Sequence, residues 1–429
     1  MLRRRLPLSV ALGCLLAGCQ HAAPMALSLG LDAVNDAPGT ITRIAEAPHV
    51  EPSPEGAAAS PIQADPAPVP PVETPSGGVV YSSHQDAPAA APAVFDPSLA
   101  VGLAWQLTRT ADGLLDVGGL AKISDGTLYV TDPVGNRLLA VAADGTATRV
   151  AGSAIGTRGF LGDGGAGALA RLAEPHGVVR EDLLGVVLFC DTGNGRIRYL
   201  WPDGTVGTYA GGGADGADAV ADKANAALAE PFGLAAAADG SLYFTERASG
   251  KVRRISPAGA VSTLATLTPG KLGPIALDAA HGLLWVGDGA DVRVVPTAGG
   301  APTTAFTAPG FGVTGLAADQ AGHLWAMQAS ADGRSGAKVW RMQVGANGLA
   351  GGIVEAVAGT GAAVASAADA LLVGAPASAR RPLAGHAGCA LAIDLTQAGS
   401  SSTRSGQVYL GNAFDGTAAQ VLRLEAGGP

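Results

Sequence analysis

Four acidic residues recur at one position in a repeated pattern of short apolar segments. Asp132, Asp191, Glu246 and Asp288 each end such a segment and precede a turn. Carboxylates at this position could form the acidic rim of a ligand pocket. Alternatively they accept hydrogen bonds from the following turn and pair with nearby basic residues, namely Arg137, Arg196, Arg253 and Arg293. The recurrence favours the structural role, because a catalytic residue would normally occur once.

The number and position of the histidines limit an enzymatic interpretation. Zinc catalysis uses about three protein ligands and an open coordination position. Only His176 begins the first strand of a repeat unit; His386 falls three residues before the corresponding position of the last unit. Cys389 begins that unit and could bind a metal or act as a nucleophile, but a buried Cys more often only packs. We therefore predict no metal, no cofactor and no catalytic set.

These residues are carried by six similar units, which span 118–152, 176–211, 232–265, 273–306, 314–359 and 389 onward. Each unit contains apolar runs of four to six residues separated by Asp-Gly, Asn-Gly and similar turns, which indicates short antiparallel strands. A single four-stranded unit cannot bury both of its faces, whereas six units packed radially can. The sequence thus predicts an all-β, six-bladed β-propeller.

The two ends of this region suggest how the ring closes. The last unit has three strands before Pro429, and an unassigned strand-like segment, AVGLAWQLT at 100–108, precedes the first unit. We predict that this segment is the fourth strand of the last blade, since pairing there removes an exposed edge.

The units resemble NHL repeats. The matching residues are Pro175-His176-Gly177, 188–191, 194–198 and Asp203-Gly204 in the second unit, and 128–132 with Asn136 and Arg137 in the first. The match weakens in the last three units, where Gln328 and Asn412 replace the acid. The resemblance implies a propeller, and some NHL-like enzymes, such as the peptide-amidating lyases, hold a metal with a ring of histidines on their inner strands.

The repeat alignment predicts a binding surface on one face of the disc. The residues that begin the inner strands should surround the channel; they are Gly118, His176, Phe232, Gly273, Thr314 and Cys389. Three insertions, 153–174, 212–230 and 360–388, should decorate the same face, with short helices at the Ala-rich segments 166–172, 221–228 and 362–372. Asp163, in Gly162-Asp163-Gly164-Gly165, is a poor Ca²⁺ ligand because the carboxylate spacing of a Ca²⁺ loop is missing, so we assign it to a turn.

The N-terminus resembles a bacterial lipoprotein signal. Arg3, Arg4 and Arg5 precede about ten apolar residues, too few to cross a bilayer. Leu16-Ala17-Gly18-Cys19 is similar to a lipobox, which implies removal of residues 1–18 and a diacylglyceryl group on Cys19. The residue after Cys19 is Gln20, whereas an inner-membrane retention signal has Asp at this position, so we expect a lipid anchor in the bacterial outer membrane.

Residues 19–98 are expected to form a flexible tether before the propeller at 99–429. Fourteen of the 28 prolines lie between Gln20 and Leu99, and large apolar residues are few, so this segment cannot bury enough surface to offset the entropy of ordering. The segment 27–44 is less biased and is left unassigned.

Charge excludes one class of partner. Without the three signal arginines, 24 Lys and Arg face 36 acids, a net charge of −12. Nucleic-acid binding depends on clustered basic residues, so we expect no nucleic-acid partner. The sequence favours a non-enzymatic cell-envelope binding module for a protein, glycan or small ligand, and its alternative is a propeller enzyme of the lactonase, hydrolase or amidating-lyase type with a metal in the channel.

Overall fold

The computed structural model describes residues 93–94, 105–307, 312–319, 323–329, 336–348, 350–359, 377–378, 391–393, 408–414 and 418–426. Cys19, Cys389 and the segments 1–92, 360–376 and 379–390 lie outside the described residues, so the predictions that concern them stay predictions. Among the described residues, the structure contains no helix with the length and apolar character needed to span a membrane.

The described chain forms six sheets, the blades of a propeller, whose four main strands are antiparallel. Blade one contains β3 (Gly119–Lys122), β4 (Leu128–Asp132), β5 (Arg137–Val141) and β6 (Ala147–Gly152). Blade two contains β8 (Pro175–Glu181), β9 (Val186–Asp191), β10 (Arg196–Leu200), β11 (Thr205–Gly211) and the short edge strand β7 (Gly165–Ala166). Blade three contains β13 (Pro231–Ala236), β14 (Leu242–Glu246), β15 (Lys251–Ile255), β16 (Val261–Thr266) and the edge strand β12 (Ala219–Val220).

The remaining blades follow the same order. Blade four contains β17 (Leu272–Asp278), β18 (Leu283–Asp288), β19 (Asp291–Pro296), β20 (Thr303–Thr307) and the parallel edge strand β1 (Ala93–Val94). Blade five contains β21 (Gly312–Ala318), β22 (His323–Ala329), β23 (Ala337–Val344) and β24 (Ala350–Ala358). Blade six contains β26 (Leu391–Ile393), β27 (Val408–Phe414), β28 (Ala418–Ala426), β2 (Trp105–Leu114) and the edge strand β25 (Ala377–Ser378).

The inner strands pack against one another in a closed ring, β3 to β8, β13, β17, β21, β26 and back to β3. Close approach requires glycine: a Cβ on Gly233 would lie 2.8 Å from the carbonyl oxygen of Gly273. Between blades the core consists of side chains such as Phe189, Phe244 and Trp325, all fully buried.

The predicted ring closure is confirmed. β2 pairs antiparallel with β28 from Trp105–Ala426 to Leu114–Ala419, so the first long strand completes the last blade. The described strand, Trp105–Leu114, includes 105–108 of the predicted segment and continues to Leu114, since the pairing extends to the end of the chain's final hairpin; residues 100–104 lie outside the described residues.

The prediction about the insertions needs correction. In 166–172 only Gly167–Leu169 is helical, as a single 3-10 turn, and 221–228 contains no helix. β7 and β12 instead pair with the outer strands β11 and β16 of the following blades. These parts of the insertions therefore lie along the outer edges of blades two and three, because their backbone groups find partners there that a short Ala-rich helix would lack. Gly156 and Gly159 of the first insertion accept hydrogen bonds from Asn136 and Asn194, in the turns that follow the second strands of blades one and two.

Candidate functional site

The face at which the second strands end is called here the mouth face, and its four acids have unequal surroundings. Asp132 is the most fully engaged: its carboxylate accepts hydrogen bonds from the backbone N–H groups of Leu115, Asp116 and Gly135 at 3.2, 3.1 and 2.9 Å. Arg137 Nε donates to it at 3.0 Å. Asp132 thus fixes the chain entering blade one.

Asp191 plays the same role in blade two with a different cation. Its Oδ1 accepts from Ala173 N at 2.7 Å and its Oδ2 from Asn194 Nδ2 at 2.8 Å. Arg198 Nη1 lies 3.5 Å from Oδ2, whereas the expected partner, Arg196, turns its guanidinium onto the Phe160 ring. Burial raises the pKa of Asp191 to about 6, and the charge of Arg198 is the largest effect opposing that rise.

Glu246 is paired as the sequence suggested. Arg253 Nη1 lies 3.1 Å from Oε1, and Ser249 Oγ donates to Oε2 at 2.7 Å. Both members of the ion pair are buried.

Asp288 differs from the other three. Its expected partner Arg293 donates to Thr304 Oγ1 instead, at 2.9 Å. The two-residue turn of blade four places Asp288 opposite Asp291, so the cation found opposite the strand end in blades one to three is missing at this position. The described donor to the Asp288 carboxylate is Thr268 Oγ1, at 3.0 Å.

His176 and Phe232, at the start of the inner strands of blades two and three, contact each other. Their rings stack with centroids 4.2 Å apart, and the Arg247 guanidinium lies 3.8 Å from the Phe232 centroid. Two approaches this close cannot share one face of a ring, so Phe232 lies between the histidine and the arginine. Thr192 Oγ1 donates to the carbonyl of Pro231 at 2.7 Å and lies 3.2 Å from His176 Nδ1, which ties blade two to blade three.

A strained backbone orients this histidine. His176 Nδ1 lies 2.8 Å from the carbonyl oxygen of Glu174, a contact that requires a proton on Nδ1. Glu174 has φ of +49° and precedes a proline, and Glu230 repeats this arrangement with φ of +55° before Pro231. Left-handed geometry is costly for non-glycine residues and concentrates at functional positions. The shared Glu-Pro dipeptide is its one counterpart in the sequence.

Asp163 has a role that the sequence analysis missed. Its carboxylate pairs with Arg198 and accepts a hydrogen bond from Thr208 Oγ1 at 2.6 Å. Arg198 also donates to the Arg171 carbonyl at 3.1 Å, so it holds the first insertion from two sides. Arg253 similarly donates to the Ala217 carbonyl of the second insertion at 2.7 Å. The turn assignment agrees with positive φ at Gly162 and Gly164, but the buried ion pair is the larger feature.

The structure brings His176 and Phe232 together with Arg247, which was not predicted, and places Thr314 at blade five. Asp132, Asp191, Glu246 and Asp288 each stay with their own blades. Within the described residues, no group of three or more His, Cys, Asp and Glu side chains is arranged to hold a metal.

No family model and no curated protein matches the sequence. Solved structures similar in fold include a gluconolactonase from Xanthomonas campestris, with 17% identity over 79% of this chain and 99% of that chain and a TM-score of 0.49. Virginiamycin B lyase from Staphylococcus aureus has 13% identity over 75% of this chain and 98% of that chain, with a TM-score of 0.43. A chain of a nidogen/laminin complex has 16% identity over 56% and 89%, with a TM-score of 0.41. These values establish no functional relationship, and the six-bladed architecture rests on the strand pairing described above.

Proposed function

We propose that the mouth face over blades two and three is a small-molecule site, and that the chain is a propeller enzyme of the lactonase or lyase type in which His176 transfers the proton. One observation carries the proposal: the imidazole is held by the Glu174 carbonyl, Thr192 and the Phe232 ring, and Glu174 itself has left-handed geometry. An orientation held at such a cost is typical of a group whose position matters to chemistry.

The hydrogen bond to Glu174 defines what His176 can do. With the proton on Nδ1, the neutral ring carries its lone pair on Nε2, which makes Nε2 the basic nitrogen. In lactone hydrolysis this nitrogen would take a proton from the water that attacks the carbonyl carbon. It would return that proton to the ring oxygen as the C–O bond breaks, so that lactone and water give the hydroxy acid.

Arg247 supplies the positive charge of the site. Its half-buried guanidinium lies against the face of Phe232 opposite His176, where it can hold a carboxylate group of the substrate. The described residues contain no group of three or more His, Cys, Asp and Glu side chains that could hold a metal. The proposed reaction therefore uses no metal-dependent step.

Turnover of a panel of aliphatic and aromatic lactones, with and without added divalent cations, tests the proposal. We expect His176→Gln to lower kcat/KM by about 100-fold or more, the usual contribution of a positioned base. His281→Gln, which removes an exposed histidine bonded to Asp278 on the opposite face, is the matched control and should leave kcat/KM unchanged. Equal turnover by His176→Gln and wild type would overturn the assignment of His176.

The second candidate is the non-enzymatic binding module. It is favoured by the fact that the carboxylates of Asp132, Asp191 and Glu246 all bond to their own blades. A module of this kind would bind a protein, glycan or small ligand without turnover. Ligand binding that survives in His176→Gln but is lost in Arg247→Ala, without product formation, would select this candidate.

We also propose that the chain is displayed in the bacterial cell envelope, on a lipid attached to Cys19 through the 19–98 tether. Incorporation of a labelled fatty acid in wild type and its loss in Cys19→Ser is the expected result. Labelling that persists in Cys19→Ser would contradict the anchor.

A further inference from the structure

The outer edge of blade one lacks the short fifth strand that covers the same edge in four other blades. Blades two, three, four and six each carry such an edge strand, whereas blades one and five have four strands among the described residues. The outer strand of blade one is β6, and no described strand pairs with its outer side. An unpaired strand edge offers backbone donors and acceptors to a further strand.

Blades two and three show what binds at the equivalent edge, because the outer strands of the three blades share one register. In each blade one residue of the outer strand pairs with the last residue of the third strand, and the pairing skips the residue three positions later. The equivalent residues at the start of this pattern are Ala147 in blade one, Val206 in blade two and Val261 in blade three.

In blades two and three the outer backbone groups at this position are bonded to the insertions. The carbonyl of Val206 accepts a hydrogen bond from the N–H of Gly164, next to β7, at 2.8 Å. In blade three the N–H of Thr263, two residues after the equivalent position, donates to the carbonyl of Asp218, next to β12, at 2.8 Å. A passing segment is thus held at this edge through backbone hydrogen bonds.

The matching groups of blade one are accessible and lack such partners. They are the carbonyl of Ala147 and the N–H of Arg149, to which the described residues supply no outer hydrogen bond. Residues 146–148 are exposed, whereas Val206 and Val261 are buried. An extended chain can therefore reach this edge of β6 from solvent.

The described parts of the chain do not cover this edge. The first insertion reaches β6 beyond it, where a Cβ on Gly167 would lie 2.4 Å from the Val150 carbonyl oxygen. Only residues 115–118 separate β2 from β3, so no insertion precedes blade one. The described N-terminal strand β1 pairs with blade four, which lies opposite blade one in the ring. A strand for this edge is therefore sought outside the propeller.

We infer that the 146–148 edge of blade one is a docking site for an extended segment of a partner polypeptide, which binds as a fifth strand. The edge strands already present define its chemistry, because all of their residues are small: Gly165–Ala166, Ala219–Val220, Ala93–Val94 and Ala377–Ser378. The residues at 146–148 are Thr, Ala and Thr, so an uncharged segment opposite them leaves no charge unpaired. The partner segment is a stretch of Gly, Ala, Ser or Val held through its backbone.

Amide hydrogen exchange of the full chain, resolved by NMR, tests this inference. The probe is the blocked hexapeptide Ala-Ser-Ala-Val-Ala-Ser, which is the 217–222 sequence around β12 with its two aspartates replaced by serine. We expect saturating peptide to slow exchange of the Arg149 N–H by about tenfold or more. The same peptide with an N-methyl group on its valine should give no protection, because that group blocks strand pairing.

Two variants of β6 separate backbone recognition from side-chain recognition. Ala147→Pro removes a backbone donor from the edge and should abolish the protection of Arg149 by the peptide. Thr148→Val changes only an exposed side chain and is the matched control, so it should keep the protection. The N-methylated peptide tests the same point on the wild-type chain, and its result stands whether or not Ala147→Pro folds.

Protection by neither peptide, or by both equally, would overturn the inference. An Arg149 N–H that exchanges as slowly as the bonded Thr263 N–H without any peptide would also overturn it. If that slow exchange depended on protein concentration, the edge would belong to a second copy of the chain; if it did not, to a segment of the same chain. None of these outcomes depends on turnover at His176.

Discussion

Blades two, three and four carry an arginine at the same position of the third strand, yet only the first two use it to hold an insertion. Arg198 and Arg253 are fully buried and bond to carbonyls of the insertions at their outer edges. Arg293 of blade four is less buried and bonds to Thr304. A buried guanidinium is tolerated where backbone carbonyls and a carboxylate surround it, so arginine and insertion depend on each other.

Replacing Arg198 should lower the free energy of unfolding more than any other substitution considered for these blades. Arg198→Met leaves Asp163 and Asp191 buried without their cation, and we expect a loss of about 3–5 kcal/mol in the free energy of unfolding. Chemical denaturation measures it, with Arg293→Met as the matched control at about 1 kcal/mol or less. Adding Asp163→Leu to Arg198→Met should recover part of the loss, and a double variant no more stable than the single one would contradict the ion-pair explanation.

Asp191, the acid of blade two, should make the free energy of unfolding depend on pH. The pKa of Asp191 in the folded state, about 6, lies above the ordinary value of 3.8, so the folded state holds a proton that the unfolded state has released between these values. Proton binding to Asp191 therefore stabilises the folded state fully below pH 4. This stabilisation, on the order of 3 kcal/mol in the free energy of unfolding, is lost as the pH rises through 6. Urea denaturation from pH 4 to 7 should show this decline in wild type and in Asp182→Asn, and a flatter curve in Asp191→Asn.

Two threonines at the same position of equivalent strands differ in their hydrogen bonds. Thr245 Oγ1 accepts from Gly233 N at 2.9 Å and donates to the Gly273 carbonyl at 2.8 Å, which links blades three and four. Thr131 of blade one occupies the same strand position, and its Oγ1 has no partner among the described residues. Thr245→Val should cost about 1–3 kcal/mol and Thr131→Val close to nothing. Equal losses in thermal unfolding would show that shape, not hydrogen bonding, decides both positions.

The smallest effect is expected from relieving the left-handed residues. Glu230→Gly removes the side chain that disfavours φ of +55°, and we expect the protein to gain up to about 1 kcal/mol. Glu174→Gly should gain less, because it also loses the exposed pair with Arg158. A loss of stability at Glu230 would mean that its side chain makes a contribution that outweighs the strain.

Much of the architecture follows from the sequence because each blade repeats one local pattern. Turn residues and alternating apolar runs are local signals, and they predicted the position of the second strand in each of the first four blades. The missing strand of the last blade was also predictable, since an open ring would expose an edge.

The site was less predictable because its contacts join distant segments. Asp163 and Arg198 are 35 residues apart, and only the path of the insertion along blade two brings them together. The Ala-rich composition of 221–228 suggested a helix, but its backbone bonds instead to Gly259 and to residues 211–215, and these tertiary hydrogen bonds override the local preference. The left-handed conformation of Glu174 has no compositional signal, since any glutamate before a proline would look the same.

The pairing of β2 with β28 determines how the ring would respond to tension. A pull on the N-terminal chain first separates the two residues of β1 from β20 and then reaches Trp105, the end of a ten-residue strand whose hydrogen bonds lie across the direction of pull. Such a load shears many bonds together rather than opening them one at a time, so the seam that completes the disc is also suited to carry mechanical force.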